Sequence, residues 1–320
     1  MIVGVTGANG FIGGALIRYL HNAGVVVRAL PRNTVSGLPS GVECRGLALP
    51  SMQLEAGADI GALSGCDTLI HAGARAHVLS EDAADSLAAF RSANRDGSIA
   101  LFQAAARAGV RRCIFISTIG VCGTIASHPL APRAKPAPEE PYQVAKWEAE
   151  VAVREIAHAS GMELLILRLP LVHGPGAPGN FAVLCRAIAR GRVLPLGGIT
   201  SNRRSFVGVR NVCSAIHTIV SREWSKSKDV YHLCDQGVMS TRQLVEILAL
   251  GIGRRARLLT VPRSFAMAAG SLCGKGKALR RLYGDLEVDG SQFYTDFSWQ
   301  PKVSLEGGLF VMGRAFRDRS

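Results

Sequence analysis

Tyr142 and Lys146, four residues apart in the run PYQVAK, form a pair that could move a proton. On a helix, an i,i+4 spacing puts both side chains on one face. A phenol with a pKa of about 10 is a poor acid or base at neutral pH, and a neighbouring ammonium stabilises its phenolate. Taken alone, such a pair is usually a solvated helix face. A third group alters that weighing. Ser117 and Thr118 end the apolar run around Phe115, and Thr118 stands 24 residues before Tyr142. A hydroxyl at a strand end can share a hydrogen bond with a substrate oxygen and the phenol, although either residue could simply cap the next turn.

The second constellation is Thr6-Gly7-Ala8-Asn9-Gly10-Phe11-Ile12-Gly13, which follows an apolar run at the start of the chain. Gly7 suits a tight turn, Gly10 lets the backbone approach a pyrophosphate, and Gly13 allows close helix–strand packing. The helix that begins there would offer N–H donors and a partial positive charge to the phosphates. Glycine triplets arise by chance, but this placement between a strand and a helix makes a purely structural turn the weaker reading.

The elements that must position these groups alternate strand and helix, as a parallel α/β sheet requires. Strands are predicted at 2–5, 25–30, 68–71, 112–117 and 164–169. Helices are predicted at 11–22 and, as one long pattern, 85–108, and Gly161 stops the helix that carries the Tyr–Lys pair. The stretch 124–141 holds five prolines and cannot be regular structure. A second loop, HGPGAPG at 173–179, marks the change to a less regular remainder.

With 320 residues and 48% apolar content, the chain can bury a sizeable core. Its net charge of +13 suits anionic ligands such as dinucleotides and nucleoside diphosphates, and is compatible with contact at an anionic membrane surface. The basic residues are scattered without an aromatic-interleaved platform, which disfavours a nucleic-acid module. The eight cysteines form no CxxC pair and no zinc spacing, so no metal site is expected and a reduced, cytoplasmic protein is. Cys113 and Cys213 read as buried thiols. No stretch is long and apolar enough to span a bilayer.

Beyond these separate signals, the chain resembles the extended short-chain dehydrogenases, the NAD-dependent epimerase/dehydratase family, along nearly its full length. The resemblance rests on TGANGFIG, Asp59-Ile60, HAGARAHV, FRSANRDGS, FISTIGVCG, PYQVAK, LRLPLVHGPG, GNF and NRRSFVGVRNV. It implies a Rossmann-type doubly wound parallel sheet over residues 1–169, with return segments after about 205, and a smaller mixed α/β substrate lobe over 170–320. It assigns Thr118 the hydroxyl role, Tyr142 the acid/base role and Lys146 the nicotinamide ribose. Gly7, Asn9, Gly10, Phe11, Ile12 and Gly13 would line the dinucleotide. Asp59 and Ile60 would lie at the adenine, with Ala72, Gly73 and Ala74 along the adenosine. Asn94 would support the lysine, and Pro170 would lie at the cofactor. For a nucleotide-sugar diphosphate the resemblance implies Asn180 and Arg204, with Arg280 or Arg281 (Arg281 preferred) as a second arginine, and it places Leu196 of the LPLG run at the substrate. Arg203 reads equally well as a solvated charge. A homodimer through the helix that carries the Tyr–Lys pair is implied as well.

NAD-specific members end the second strand with an acid that binds the ribose 2′-hydroxyl. Here the stretch reads Arg28-Ala29-Leu30-Pro31-Arg32-Asn33, with no acid. NADP(H) is therefore expected over NAD(H), with Arg32 at the 2′-phosphate and Arg28 as the weaker candidate. The expected reaction is reduction of the C4 ketone of a UDP-6-deoxy-4-keto-hexosamine for surface polysaccharides. The alternatives are a UDP-sugar C4 epimerase and a non-catalytic dinucleotide sensor. A 4,6-dehydratase is disfavoured, since Ile119-Gly120 stand where that chemistry needs Asp-Glu. Cys122 and His173 replace tyrosines usual in the family, and packing is the favoured reading for both.

Overall fold

The computed structural model describes residues 1–47, 60–76, 83–223 and 229–319. The Val/Ile-rich run β1 (Ile2–Thr6) pairs in parallel with β2 (Val26–Leu30) on one side and β4 (Thr68–His71) on the other. With β3 (Glu43–Cys44), β5 (Arg112–Thr118), β6 (Glu163–Leu169) and β9 (Val230–His232), they form a seven-stranded parallel sheet. Its order is β3-β2-β1-β4-β5-β6-β9. The chain leaves β1 in one direction and resumes beyond it in the other, so a crevice opens at the carboxyl ends of β1 and β4. Open α/β sheets bind ligands at such a switch point.

Both sheet faces are buried, which is why the strands are near-continuous apolar runs rather than alternating ones. One face packs on α1 (Phe11–Asn22), α7 (Val209–Val220) and α11 (Ser291–Asp296), through residues such as Leu16, Ile216 and Phe293. The other packs on α2 (Ile60–Leu63), α4 (Gly97–Arg107) and α5 (Pro141–Ser160), through Leu63, Phe102 and Val153. A third apolar cluster joins α6 (Asn180–Ala189), α8 (Thr241–Ile252) and α12 (Leu305–Arg317). There, the short strands β7 (Leu171–His173) and β8 (Phe206–Gly208) form a parallel pair of their own. The hairpin of α9 (Arg263–Leu272) and α10 (Gly276–Tyr283) follows.

The long helical pattern expected at 85–108 is interrupted. α3 (Ala83–Phe90) and α4 are joined by a wider, π-helical turn over Arg91–Asp96. Buried Asn94 sits in that turn, and its side chain grips the backbone of Arg75: Oδ1 accepts from the Arg75 N–H (2.8 Å) and Nδ2 donates to the Arg75 carbonyl (3.0 Å). Hydrophobic periodicity does not register a one-residue excess of this kind, which recurs at functional sites.

Helix α5 has strong local determinants. Glu140 caps it, the Gln143 side chain accepts from the Glu139 and Glu140 N–H groups (3.0 and 3.2 Å), and Pro141 opens the first turn. Gly161, at φ 74°, ends it as expected. The proline-rich stretch before α5 is not free loop. The Ala126 and Leu130 N–H groups donate to the Asp285 and Glu287 carbonyls (2.9 and 2.8 Å), tying it to the segment after α10.

Candidate active site

The glycine loop is built by steric exclusion. Gly7 has φ 71°, and a Cβ there would lie 2.8 Å from the Ala72 carbonyl and the Gly73 nitrogen. A Cβ on Gly13 would collide with the Gly7 carbonyl oxygen, so α1 can approach β1 this closely only with glycine at that position. The Gly10 N–H closes the turn onto the Gly7 carbonyl at 2.7 Å. α1 then starts at Phe11 with no side-chain cap and no acid in its first turn. A phosphate fits that arrangement: the first N–H groups of a helix are unpaired within it and carry its positive end. Asn9 is exposed and donates to the Thr34 carbonyl (3.2 Å), while Phe11 and Ile12 are half-buried against the core.

Beside this loop runs a chain of hydrogen bonds that the sequence did not disclose. The Gly73 N–H donates to Thr6 Oγ1 (3.2 Å), Thr6 Oγ1 lies 2.7 Å from His71 Nδ1, and His71 Nε2 lies 3.0 Å from Ser98 Oγ. Ser98 in turn donates to the Asn94 carbonyl (2.5 Å). That last bond commits the only hydroxyl proton of Ser98, so His71 must donate from Nε2 and accept the Thr6 proton at Nδ1. The histidine is neutral: burial, with a smaller contribution from the nearby Lys146 charge, pushes it down to about 3.

Thr118 ends β5 and caps the following short turn (Ile119–Cys122), its Oγ1 accepting from the Gly120 N–H at 3.1 Å. The capping role is therefore real, but it uses only a lone pair and leaves the hydroxyl proton available. Ser117 turns to the opposite side and donates to Glu150 (2.6 Å), so of the two strand-end hydroxyls Thr118 is the uncommitted donor. A Cβ on Gly120 would press on the Gln143 side chain (2.9 Å), which sets the Thr118 turn directly against the first turn of α5, where Tyr142 stands. Tyr142 packs edge-on against Phe90, centroids 5.9 Å apart, and burial raises its phenol to about 12. Lys146 is buried, donates to the Ile116 carbonyl (2.8 Å) and lies 3.8 Å from the Phe115 ring centroid. Burial pulls it down to about 7, against a raising influence from Glu150.

Glu150 lies one further turn along the same face and is fully buried. It takes a forked contact from Arg168 (Nη2 at 2.7 Å, Nε at 3.1 Å) besides the Ser117 bond. Arg168 also donates to the Cys122 sulfur (3.4 Å). The spacing of Glu150, i+4 from Lys146, was a signal that could have identified it. Cys122 and His173 are both buried. His173 lies 3.1 Å from Asp235 and fills space left by Gly308.

The remaining expected residues divide into those brought together and those set apart. Ile60 opens α2, and Ala72, Gly73 and Ala74 follow β4 beside the glycine loop. Pro170 is buried between β6 and β7. Asp59 lies outside the described residues. Arg32 is exposed just past β2 and makes no hydrogen bond or ion pair among the described residues. Arg28, the weaker candidate, is buried and turned into the protein, donating to Glu43 (2.7 Å) and to the Ala62 and Ser64 carbonyls (3.1 and 2.6 Å).

At the other side, Arg204 donates to the Arg281 and Gly284 carbonyls (2.7 and 3.1 Å), and burial, together with the Arg281 charge, lowers its pKa. The Arg281 side chain pairs with Glu140, two residues before Tyr142. Arg281 thus reaches the start of the helix that carries the phenol, and Arg204 is held on the backbone at the end of α10. Arg203 is the solvated alternative, exposed and bonded to Glu287 (2.8 Å). Asn180 is exposed at the first position of α6, and Leu196 is half-buried against the third cluster. Among the described residues, no three His, Cys, Asp or Glu side chains gather as metal ligands, and no helix is long and apolar enough to cross a membrane.

This combination of a glycine loop at the switch point and a Tyr–Lys helix beside a strand-end hydroxyl defines a dinucleotide-dependent α/β enzyme. Residues 3–234 match the model of the NAD dependent epimerase/dehydratase family, and the chain belongs to that family. It is 33% identical over 316 residues to a UDP-glucose 4-epimerase of Vibrio cholerae, covering 98% of this chain and 94% of that one. Its fold is similar to MoeE5 solved with UDP-glucuronic acid and NAD (TM-score 0.79, 24% identity, 100% of both chains). It is also similar to RMD from Pseudomonas aeruginosa solved with NADPH (TM-score 0.71, 22% identity, 99% of both chains).

Proposed function

We propose that the protein reduces the C4 ketone of a UDP-linked 6-deoxy-4-keto-hexosamine with NADPH, in surface-polysaccharide synthesis in the cytoplasm. The observation that carries the direction is the acid-free end of β2, Arg28-Ala29-Leu30-Pro31-Arg32-Asn33, which favours NADP(H), the cofactor that reductases consume. In this reading Tyr142, whose phenol burial pushes up, is the proton donor. Lys146 lies one turn further along the same helix, with burial pulling its ammonium down and Glu150 opposing that shift.

The bound dinucleotide would supply the hydride. Around it the chain has four tasks. The Gly7–Gly13 loop and the α1 N-terminus hold the pyrophosphate, and Lys146 the nicotinamide ribose. Thr118 donates a hydrogen bond to the C4 oxygen, stabilising the charge that grows there. Tyr142 delivers its proton to that oxygen. Arg204 and Arg281, with Asn180, hold the diphosphate end, where a guanidinium fork matches phosphate oxygens, and Leu196 offers apolar contact to the substrate. The acid-free end of β2 and the unpaired Arg32 support NADP(H) over NAD(H). On the family resemblance, the enzyme works as a homodimer through the α5 face.

A C4 epimerase using the same residues is the second reading, favoured by the name of the Vibrio cholerae relative. Incubation with UDP-4-keto-6-deoxy-N-acetylhexosamine and NADPH separates the two. Stoichiometric NADPH consumption with a reduced sugar supports the reductase. Interconversion of UDP-sugars with no net consumption supports the epimerase and sinks the reductase.

A further inference from the structure

The α9–α10 hairpin presents a surface that the proposed chemistry does not use. Phe265, Ala268, Ala269 and Leu272 fall at i, i+3, i+4 and i+7 of α9, one face of the helix, and all four are exposed. Phe265 is 69% and Leu272 90% accessible, the two most exposed large apolar side chains among the described residues. The opposite face of α9 is the one that is packed. A Cβ on buried Gly270 would overlap the Leu279 side chain of α10, so the hairpin is closed on that side and the apolar stripe points away from the protein.

Charge surrounds the stripe with one sign. Between Glu246 and Asp285 the chain carries eight Lys or Arg residues and no Asp or Glu. Arg263 precedes the stripe, Lys275 and Lys277 follow it in the turn into α10, and all three are exposed.

We propose that this hairpin docks the protein on the surface of a bilayer containing anionic lipid, with the Phe265–Leu272 stripe in the headgroup–acyl boundary and the flanking cations on lipid phosphates. An amphipathic helix with large apolar residues on one face and Lys/Arg beside them binds in this manner. The same charge argues against a second copy as occupant, because apposing two such faces would bring like charges together. It argues for an interface rather than nucleic acid because the exposed centre is aliphatic and aromatic rather than a row of cations. Arg281 lies on α10, so docking would bring the proposed diphosphate end close to the membrane.

The test is co-sedimentation of the full chain with phosphatidylcholine vesicles, with and without phosphatidylglycerol, at low and high salt. The expected result is binding that needs phosphatidylglycerol, weakens as salt rises, and falls about tenfold or more in Phe265→Ser/Leu272→Ser and in Lys275→Glu/Lys277→Glu. Both variants should keep wild-type thermal melting and turnover, since none of these side chains is in the site or the core. Absence of binding, equal binding to pure phosphatidylcholine, or binding unchanged in the serine variant overturns the proposal. So does a dimer, measured by light scattering, that the serine variant converts to monomer, or anisotropy showing that the same face binds an oligonucleotide instead.

Discussion

The two ends of the crevice are built by opposite means. At the sheet end the contacts are made by backbone: Gly7 lies against Ala72–Gly73, and Gly13 against Gly7, at distances that admit no Cβ. The side chains that support this end are neutral or hold one another, as in the Thr6–His71–Ser98 chain. At the far end the work falls to long charged side chains. Arg204 reaches the carbonyls that close α10, and Arg281 reaches Glu140. The first end is rigid because nothing larger fits. The second can adjust, because Arg281 is exposed and can leave Glu140 for another anion. On the proposed function, a shared cofactor at the first end and a variable substrate at the second call for that division.

Tyr142 stands between the two ends, and its removal should produce the largest effect. Tyr142→Phe keeps the ring contact with Phe90 and deletes the proton. Turnover should fall by about 10²–10⁴, while NADPH affinity, read by fluorescence titration, stays within a few fold of wild type. Retained turnover would remove the phenol from the chemistry.

Gly13→Ala tests the rigid end. The added methyl meets the backbone carbonyls of Gly7 and Thr6, neither of which is a flexible side chain, so α1 must move away from β1. Overpacking of this kind costs roughly 1–3 kcal/mol, at times more. The melting temperature should drop and dinucleotide affinity should be lost with it. An alanine variant that binds NADPH normally would show that the loop is looser than its geometry implies.

The same contrast governs what could be read from the chain alone. The first strand and helix, the glycine loop and the Tyr–Lys pair were legible because each depends on local rules: a turn that needs glycine, a four-residue helical spacing, a capped helix start. Asn94 was placed only by resemblance, and its grip on Arg75 depends on a π-helical turn that hydrophobic periodicity cannot signal. Arg28 and Arg32 show the limit most plainly. Both are arginines near the end of β2, yet Arg28 points into the protein, where Glu43 and two carbonyls receive it, and Arg32 points out. The partners come from β3 and the region of α2, remote in sequence. The Glu150–Arg168 pair and the His71 chain were missed for the same reason.

Acid should expose the sheet end first. His71 and His232 are held neutral in the folded chain, pushed down to about 3 and about 4 by burial. Below pH about 6.5 the unfolded chain binds these protons and the folded chain does not, so stability falls as pH drops from 6.5 towards 4. For His71 the loss is at most on the order of 3–5 kcal/mol. Urea unfolding across this range should show the decline, and His71→Gln, which has no titrating ring, should flatten part of it. An equally steep decline in that variant would place the acid sensitivity elsewhere.

Arg204→Ala should weaken substrate rather than cofactor. Loss of a guanidinium fork on phosphate is worth roughly 1.5–3 kcal/mol, a tenfold to hundredfold rise in KM. Arg204→Lys should recover little, because an ammonium cannot reach both carbonyls at the end of α10 and a phosphate together. A rise in KM for NADPH of the same size would mean that the two ends are not independent.

The smallest effect is expected from Arg32, and it tests the rigid end where that end is least rigid. Its neighbours offer no acid to repel a 2′-phosphate, so NADP(H) use depends partly on that absence and partly on one exposed charge. An exposed pair contributes at most about 1 kcal/mol. Arg32→Ser should therefore lower the preference for NADPH over NADH by about fivefold without reversing it, measured as the ratio of kcat/KM values. Reversal would mean that the arginine alone sets cofactor choice. No change would mean that the missing acid does, and Pro31→Asp should then turn the enzyme towards NADH.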